Sequence, residues 1–189
     1  GKGGALYLVE TLTVRGAATL AGNKAGKSGG AIYAKTVALE GASNFANNAA
    51  GTYGAVVTTT SEEVVPPAEE GGESTTITVT TTTTTWSGFG GAIFATDAVL
   101  GGVATFTGNE ATSGGAIYAS ASLDVAANST FTGNKANKTQ TVVVDAGSKA
   151  GTTDTFAGSN GGAIVASVLT MNNSLVANNA AGANGGAIY

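Results

Sequence analysis

The sequence predicts an all-β chain, folded as a right-handed, single-stranded parallel β-helix of about six to seven coils. Two recurring motifs and the pattern between them support this prediction. Gly-Gly-Ala followed by Ile or Leu recurs along the chain, and an apolar residue followed three places later by Asn alternates with it. Each period holds three short bursts rich in β-branched and aromatic residues, which is typical of strands. Three strands per period, repeated, indicate coils that stack on one another.

The Gly-Gly-Ala motif sets the period. Its copies begin at residues 3, 29, 90, 114, 161 and 185, and a weaker copy, YGAVV, lies at 53–57. Most intervals are about two dozen residues, and we expect parallel crossovers between successive coils to be right-handed. The apolar position of the motif should form a buried ladder of Leu6, Ile32, Val56, Ile93, Ile117, Ile164 and Ile188. Strand alternation should then turn a stripe of aromatic rings toward solvent, namely Tyr7, Tyr33, Phe94, Tyr118 and Tyr189.

The second motif predicts another buried ladder on a different face. Its apolar residues are Leu20, Phe45, Phe106, Phe131 and Leu175. The Asn three places later tolerates a left-handed corner and can hydrogen-bond along the stack. The glycine pair permits backbone conformations closed to other residues, or a close approach between coils.

Two coils carry insertions, and residues 1–189 otherwise form a single β-helical domain. The first insertion, 58–88, is acidic and rich in Thr, and it contains Pro66 and Pro67. Its first half should be a solvated loop, and its second half, residues 75–85, can complete a third coil. The second insertion, 137–158, can form an extra strand from Thr141 to Val144.

Composition restricts the function. The net charge is −4, which disfavours nucleic acid as a partner, and no apolar run suggests direct membrane insertion. The chain has neither His nor Cys, so we expect no metal and no cofactor. Because the repeat is interrupted at both termini, we expect a piece of a longer array. Its open coil ends should favour self-association.

Catalysis is the weaker alternative. Asp97 and Asp124 fall at near-equivalent places in successive coils, so a β-helical polysaccharide lyase or hydrolase is considered. The other carboxylates are scattered, and the segment 21–28, which ends in Gly-Lys-Ser, precedes a strand rather than the helix that a phosphate loop needs. We therefore expect the chain not to be an enzyme.

The alternation of the two motifs resembles the chlamydial polymorphic membrane proteins, a family of autotransporters with a secreted β-helical passenger domain. The resemblance implies an adhesin at the bacterial cell surface, on the extracellular side of the outer membrane or secreted, that binds a host-cell surface protein receptor. A purely structural spacer of a surface rod is the other alternative. The resemblance also implies that the motifs contribute to adhesion. The motif residues are Gly29, Gly30, Ala31, Ile32, Phe45, Asn48, Gly90, Gly91, Ala92, Ile93, Phe106, Asn109, Gly114, Gly115, Ala116, Ile117, Phe131, Asn134, Gly161, Gly162, Ala163 and Ile164.

Overall fold

The protein is all-β in a computed structural model that describes residues 1–51, 55–65, 75–85, 87–126, 128–136, 140–145, 151–155 and 159–189. These ranges contain strands joined by turns and bends, and no helix. The strands form three parallel sheets and one antiparallel sheet, and we number them β1–β21 in chain order.

The three parallel sheets hold most of the strands. The first contains β1 (Leu6–Tyr7), β2 (Thr11–Val14), β5 (Ile32–Tyr33), β6 (Thr36–Leu39), β11 (Ile93–Leu100), β14 (Ile117–Val125) and β19 (Ile164–Met171). The second contains β3 (Ala18–Ala21), β7 (Ser43–Ala46), β12 (Ala104–Thr107), β15 (Thr130–Thr132) and β20 (Leu175–Ala177). The third contains β4 (Lys24–Ala25), β8 (Ala49–Ala50), β13 (Glu110–Ala111), β16 (Lys135–Ala136) and β21 (Ala180–Ala181).

The remaining four strands form the antiparallel sheet. They are β9 (Ala55–Val65), β10 (Thr75–Thr85), β17 (Gln140–Asp145) and β18 (Gly151–Thr155). Within each period the chain passes through the first, second and third parallel sheets in turn, and each strand pairs with its equivalent one period away. This arrangement is compatible with a parallel β-helix.

The ladder of Ile side chains forms one half of the core. Cα pairing runs from Leu6 through Ile32, Ile93, Ile117 and Ile164 to Ile188. The four inner members are fully buried, whereas Leu6 is 37% and Ile188 39% exposed because each has a ladder neighbour on one side only. The expectation of self-association through the ends stays a prediction.

Val56 does not belong to the Ile ladder, and the sequence prediction was wrong there. Ile93 pairs directly with Ile32, while Val56 lies in β9 opposite Thr84 of the antiparallel sheet. Val56 therefore belongs to the antiparallel sheet and not to a stacked period. The sequence YGAVV resembles the first motif but lacks its glycine pair, which the close contact with the neighbouring coil requires.

Stacked Phe rings form the other half of the core. Phe45, Phe106 and Phe131 are fully buried, and successive ring centroids lie 4.8 Å apart. The next member of this ladder is Val176, which pairs with Phe131, and not the predicted Leu175, which is 57% exposed. The motif in this period is thus displaced by one residue, and a displacement by one moves a side chain to the opposite face of a strand.

Asparagine side chains form a continuous hydrogen-bond ladder beside the Phe column. The ladder residues are Asn23, Asn48, Asn109, Asn134 and Asn179. At Asn109, the backbone N–H donates to Oδ1 of Asn134 at 3.0 Å and Nδ2 donates to the same oxygen at 2.9 Å. Nδ2 also donates to the backbone carbonyl of Phe45 in the preceding period at 3.0 Å. The inner amides of Asn48, Asn109 and Asn134 each link three successive periods, and the expected hydrogen bonding along the stack is present.

The left-handed corner lies one residue before the ladder Asn, rather than at the Asn itself. Gly22, Asn47, Gly108, Gly133 and Asn178 occupy this position, and all have φ between 54° and 67°. Gly and Asn are the residues that adopt this conformation at least cost. The second motif therefore has a third fixed position, which the sequence analysis missed.

The two glycines of the first motif have different roles, and both expected reasons for them hold. Gly114 has φ of +62°, in the left-handed region. At Gly115 a Cβ atom would collide with the carbonyl oxygen of Gly162 and would lie 2.6 Å from the backbone nitrogen of Lys135. The first glycine is needed for the turn, and the second for the close contact between neighbouring periods.

We expect Ile117→Asp to lower the free energy of unfolding by about 4 kcal/mol or more, because it places a carboxylate among buried apolar side chains. Tyr118→Ser, one residue further along the same strand, should cost about 1 kcal/mol because Tyr118 is only half-buried. Chemical denaturation followed by circular dichroism measures both values. Costs in the reverse order would mean that the inward and outward faces of β14 have been exchanged.

Asn109→Ala should lower the free energy of unfolding by about 3 kcal/mol, because it leaves buried N–H groups of Asn48 without their acceptor. The matched control is Asn44→Ala, since Asn44 is exposed on β7, and its effect should stay within about 0.5 kcal/mol. Equal losses for the two variants in thermal melts would show that the ladder does not stabilise the stack.

Candidate binding surface

The motif residues assigned to adhesion lie inside the molecule. Every Gly, Ala, Ile, Phe and Asn in that set is buried. Their contribution to adhesion stays a prediction, but burial determines the form that it can take. A buried side chain acts by holding strands and corners in place, so contact with a partner must be made by the exposed surfaces that the motifs support.

The aromatic stripe is the first such surface. Tyr7, Tyr33, Phe94 and Tyr118 stack with ring centroids 5.0–5.5 Å apart and interplanar angles of at most 16°. Phe89 lies across Phe94 and Tyr118 at steep angles of 56° and 60°. Because each inner ring is covered by its neighbours, the column offers ring edges rather than free faces. This geometry favours a stabilising role for the stripe.

The predicted stripe is interrupted toward the last period. Val165 pairs with Tyr118 at the position where the other periods have an aromatic ring, and Tyr189 is 56% exposed. At the opposite end, the ammonium group of Lys2 donates a hydrogen bond of 3.1 Å to the Tyr33 hydroxyl. This hydrogen bond raises the pKa of Lys2.

The two carboxylates considered for catalysis do not occupy equivalent positions. Asp97 pairs with Ser122, whose hydroxyl donates to its Oδ1 at 2.5 Å, and Asp124 pairs with Val99. Asp124 lies two residues beyond Ser122, so the two carboxylates are near each other in register but are not paired directly. Within the described ranges, no group of three or more acidic side chains is placed to hold a metal ion.

The antiparallel sheet is the second exposed surface, and we call its four strands, β9, β10, β17 and β18, the insertion sheet. It combines both insertions. β9 pairs with β10 over their full length, β17 pairs with β18, and β10 pairs with β17 through Thr80–Thr84 opposite Thr141–Asp145. The prediction that residues 75–85 complete a coil was wrong, because these residues pair with the two insertions instead. The prediction of a loop for the acidic half was wrong at residues 58–65, which belong to β9, and the rest of that half, 66–74, lies outside the described residues.

Each insertion leaves the stack and returns to it at one point. Gly51 and Gly88 are so close that a Cβ on Gly51 would lie 3.0 Å from Cα of Gly88. At the second insertion, Gly182 donates to the carbonyl of Ala136 at 3.0 Å, and the next residue, Ala183, donates to that of Ser159 at 2.9 Å. Ala136 and Ser159 therefore bond to consecutive residues of the next period, although residues 137–158 lie between them in the sequence.

Both insertions follow a strand of the third parallel sheet, β8 or β16, and one uninterrupted period lies between them. Because they leave the stack at the same place in the period, their hairpins emerge on the same side and meet. This shared point of exit was visible in the sequence as a signal: each insertion follows a motif Asn by a few residues and precedes the next glycine pair.

Exposed polar side chains lie on β9 and β10 of the insertion sheet. Thr58, Thr60 and Glu62 on β9 are exposed, as are Thr76 and Thr78 on β10. Strand alternation places these five residues on one face, since the pairs Thr58–Thr82, Thr60–Thr80 and Glu62–Thr78 lie opposite each other. The four strands carry the carboxylates of Glu62, Glu63, Asp145 and Asp154 and contain neither Lys nor Arg. The sheet is therefore a hydroxyl-rich surface of negative charge.

Comparison with known families identifies the repeat. Residues 17–35 and 104–120 match the model of the Chlamydia polymorphic membrane protein repeat, and each segment runs from the second motif into the following glycine pair. The match confirms the resemblance seen in the sequence. Searches among curated proteins and solved structures gave no match. In the part of the chain that the structure describes, no helix is long and apolar enough to cross a membrane.

Thr81→Pro combined with Thr82→Pro should separate the two insertions, because both residues pair with β9 on one side and with β17 on the other. Neighbouring N–H groups in a strand point to opposite edges, so the double change removes a donor toward β17, and amide protection in β17 should fall by about tenfold or more. Thr75→Pro combined with Thr76→Pro is the matched control, since these residues pair with β9 only. Hydrogen exchange measured by NMR checks both double variants, and unchanged protection of β17 after the changes at Thr81 and Thr82 would contradict this pairing.

Proposed function

Because the chain carries the repeats of the chlamydial polymorphic membrane proteins, we propose that it is part of a surface adhesin that binds a protein on the host-cell surface. Membership of this family indicates a surface autotransporter-type protein associated with the outer membrane. In our proposal, the stacked periods form a right-handed parallel β-helix with six coil starts. They act as a rigid passenger scaffold, and the insertion sheet is the contact surface.

The position of the insertion sheet is the observation that carries the proposal. The inner copies of the repeated motifs are buried and pair with their equivalents in the neighbouring periods, so they give the molecule a regular scaffold. The insertions interrupt this regularity at two points and join into one exposed sheet. Binding residues are often found on loops and insertions held by a rigid framework, and this sheet is the part that most resembles such an arrangement.

The charge distribution supports the same surface. Residues 58–88 contain five of the twelve acidic residues and no Lys or Arg, giving −5, against −4 for the whole chain. The remainder of the chain is therefore close to neutral, and the negative charge is concentrated in one insertion. A concentrated charge of this kind steers a partner of opposite sign toward the surface, and salt weakens the effect.

The proposal does not involve catalysis. Asp97 accepts a hydrogen bond from Ser122, and Asp124 pairs with Val99 rather than with Asp97, so the register supports no directly facing pair of carboxylates. We assign to the adhesion motifs the role of fixing the scaffold. The alternative to the adhesin is a structural spacer that binds no receptor, and the experiment below distinguishes the two.

Attachment of protein-coated beads to host cells tests the proposal. Removing residues 52–87 joins Gly51 to Gly88 and restores the same number of residues between Asn48 and Gly90 as between Asn23 and Gly29. Removing 137–158 joins Ala136 to Ser159 in the same manner, and matches the spacing from Asn109 to Gly114. Each variant therefore lacks one hairpin and keeps its stack of periods, which circular dichroism and thermal melts verify.

We expect deletion of residues 52–87 to lower attachment by about tenfold or more, and attachment of the intact chain to fall with rising salt. Deletion of 137–158 should have a smaller effect, because β9 and β10 remain paired. If each single deletion and the double deletion all leave attachment unchanged, binding is assigned to the stacked periods. Absence of attachment by the intact chain would leave a spacer and would contradict the adhesin.

A further inference from the structure

We propose that the outer edge of β9 binds an extended, lysine- or arginine-containing segment of a partner protein as an added β-strand. This proposal rests on the adhesin function above and specifies its binding mode and the chemistry of its partner. The strand would extend the insertion sheet beyond β9. Backbone hydrogen bonds would supply the binding, and the carboxylates of Glu62 and Glu63 would select a basic segment.

The edge of β9 is open in the described part of the chain. The order of the insertion sheet is β18, β17, β10, β9, so β9 is a terminal strand, paired with β10 on one side. That pairing extends over all eleven residues from Ala55 to Val65 without a shift in register. A regular terminal strand presents a row of N–H and C=O groups to solvent, and an extended chain can pair with them.

Most of the usual protections against strand addition are missing from β9. Natural edge strands are commonly blocked by charged side chains, especially Lys, by Pro, by a β-bulge or by very short length, and the charges of β9 are both negative, so they repel acidic strands but not basic ones. The sequence of β9, AVVTTTSEEVV, contains neither Lys nor Pro, and its ladder with β10 has no bulge. Its length is eleven residues, against five for β18 at the opposite edge. The longer edge offers more backbone hydrogen bonds, so we place the site on β9.

Charge determines which strand can pair with this edge. Glu62 is exposed on β9, and the next residue in the sequence, Glu63, adds a second negative charge to the same strand. A strand with a basic residue opposite Glu62 gains a favourable cross-strand pair, whereas an acidic strand is repelled. The absence of Lys and Arg from all four strands leaves these carboxylates uncompensated within the sheet.

A defined peptide tests strand addition directly. The probe is a ten-residue, end-capped peptide of alternating Lys and Val, added to the ¹⁵N-labelled full chain and followed by NMR. We expect shift changes and new amide protection in residues 55–65, and affinity that falls with salt. A peptide of alternating Glu and Val is the matched control and should bind at least about tenfold more weakly. Equal binding of the two peptides, or changes confined to other residues, would overturn the proposal.

Substitutions on β9 separate strand pairing from simple charge attraction. Glu62→Lys combined with Glu63→Lys should lower affinity for the Lys-Val peptide by about tenfold or more, with an unchanged melting temperature. Thr59→Pro and Thr60→Pro form a pair, because neighbouring N–H groups in a strand point to opposite edges. In one of the two variants the amide protection of β10 stays unchanged, which shows that the lost N–H pointed to the free edge of β9. That variant should no longer bind the peptide. Binding retained by that variant would overturn strand addition.

The bead assay with the same variants distinguishes failure of this proposal from failure of the adhesin. If the intact chain attaches to cells, and the double Glu→Lys variant and the edge-proline variant attach equally well, the binding mode is overturned while the adhesin function stands. Peptide pairing on β9 by a chain that does not attach to cells would support the edge site and contradict the adhesin function.

Discussion

The asparagine ladder is the interaction on which the stack depends. Each inner ladder side chain, at Asn48, Asn109 and Asn134, accepts a backbone N–H from the previous period, donates to the Asn of the next period and donates to a backbone carbonyl of the previous one. Without it, every period would bury unpaired polar groups beside the Phe column, at a cost that apolar packing alone would have to offset. The left-handed Gly or Asn before it and the glycine pair bring the chains close enough for the ladder to form.

The fold was predictable where the same residue type recurs in every period. The Ile ladder, the Phe ladder and the bonding role of Asn follow from alternation and the period. Prediction failed at Leu175 because the segment from Leu175 to Asn179 contains two Asn residues and satisfies the motif in two registers. Only the alignment of Asn179 with Asn134 selects Val176 for the interior. The prediction for Val56 failed for a different reason, because the copy YGAVV lacks the glycine pair that the neighbouring period requires.

The candidate surface was less predictable than the fold. Strand propensity was evident at residues 75–85 and 141–144, yet propensity indicates a strand and not its neighbour. The pairing of β10 with β17 joins segments that lie in different periods, and no repeated residue marks it. The sequence signal for this pairing was that both insertions leave the repeat at the same point. That signal becomes informative only when the periods are aligned with one another.

The pairing of β10 with β17 also has a mechanical consequence. It connects the period that contains β8 to the period that contains β16, because the two insertions follow these strands. The period that contains β13 lies between them and is bypassed. A force that pulls along the stack would load this cross-connection in parallel with the hydrogen bonds between neighbouring periods. The middle of the molecule would then resist extension more than the plain repeats at either side, and an applied pull would first open the unbridged periods.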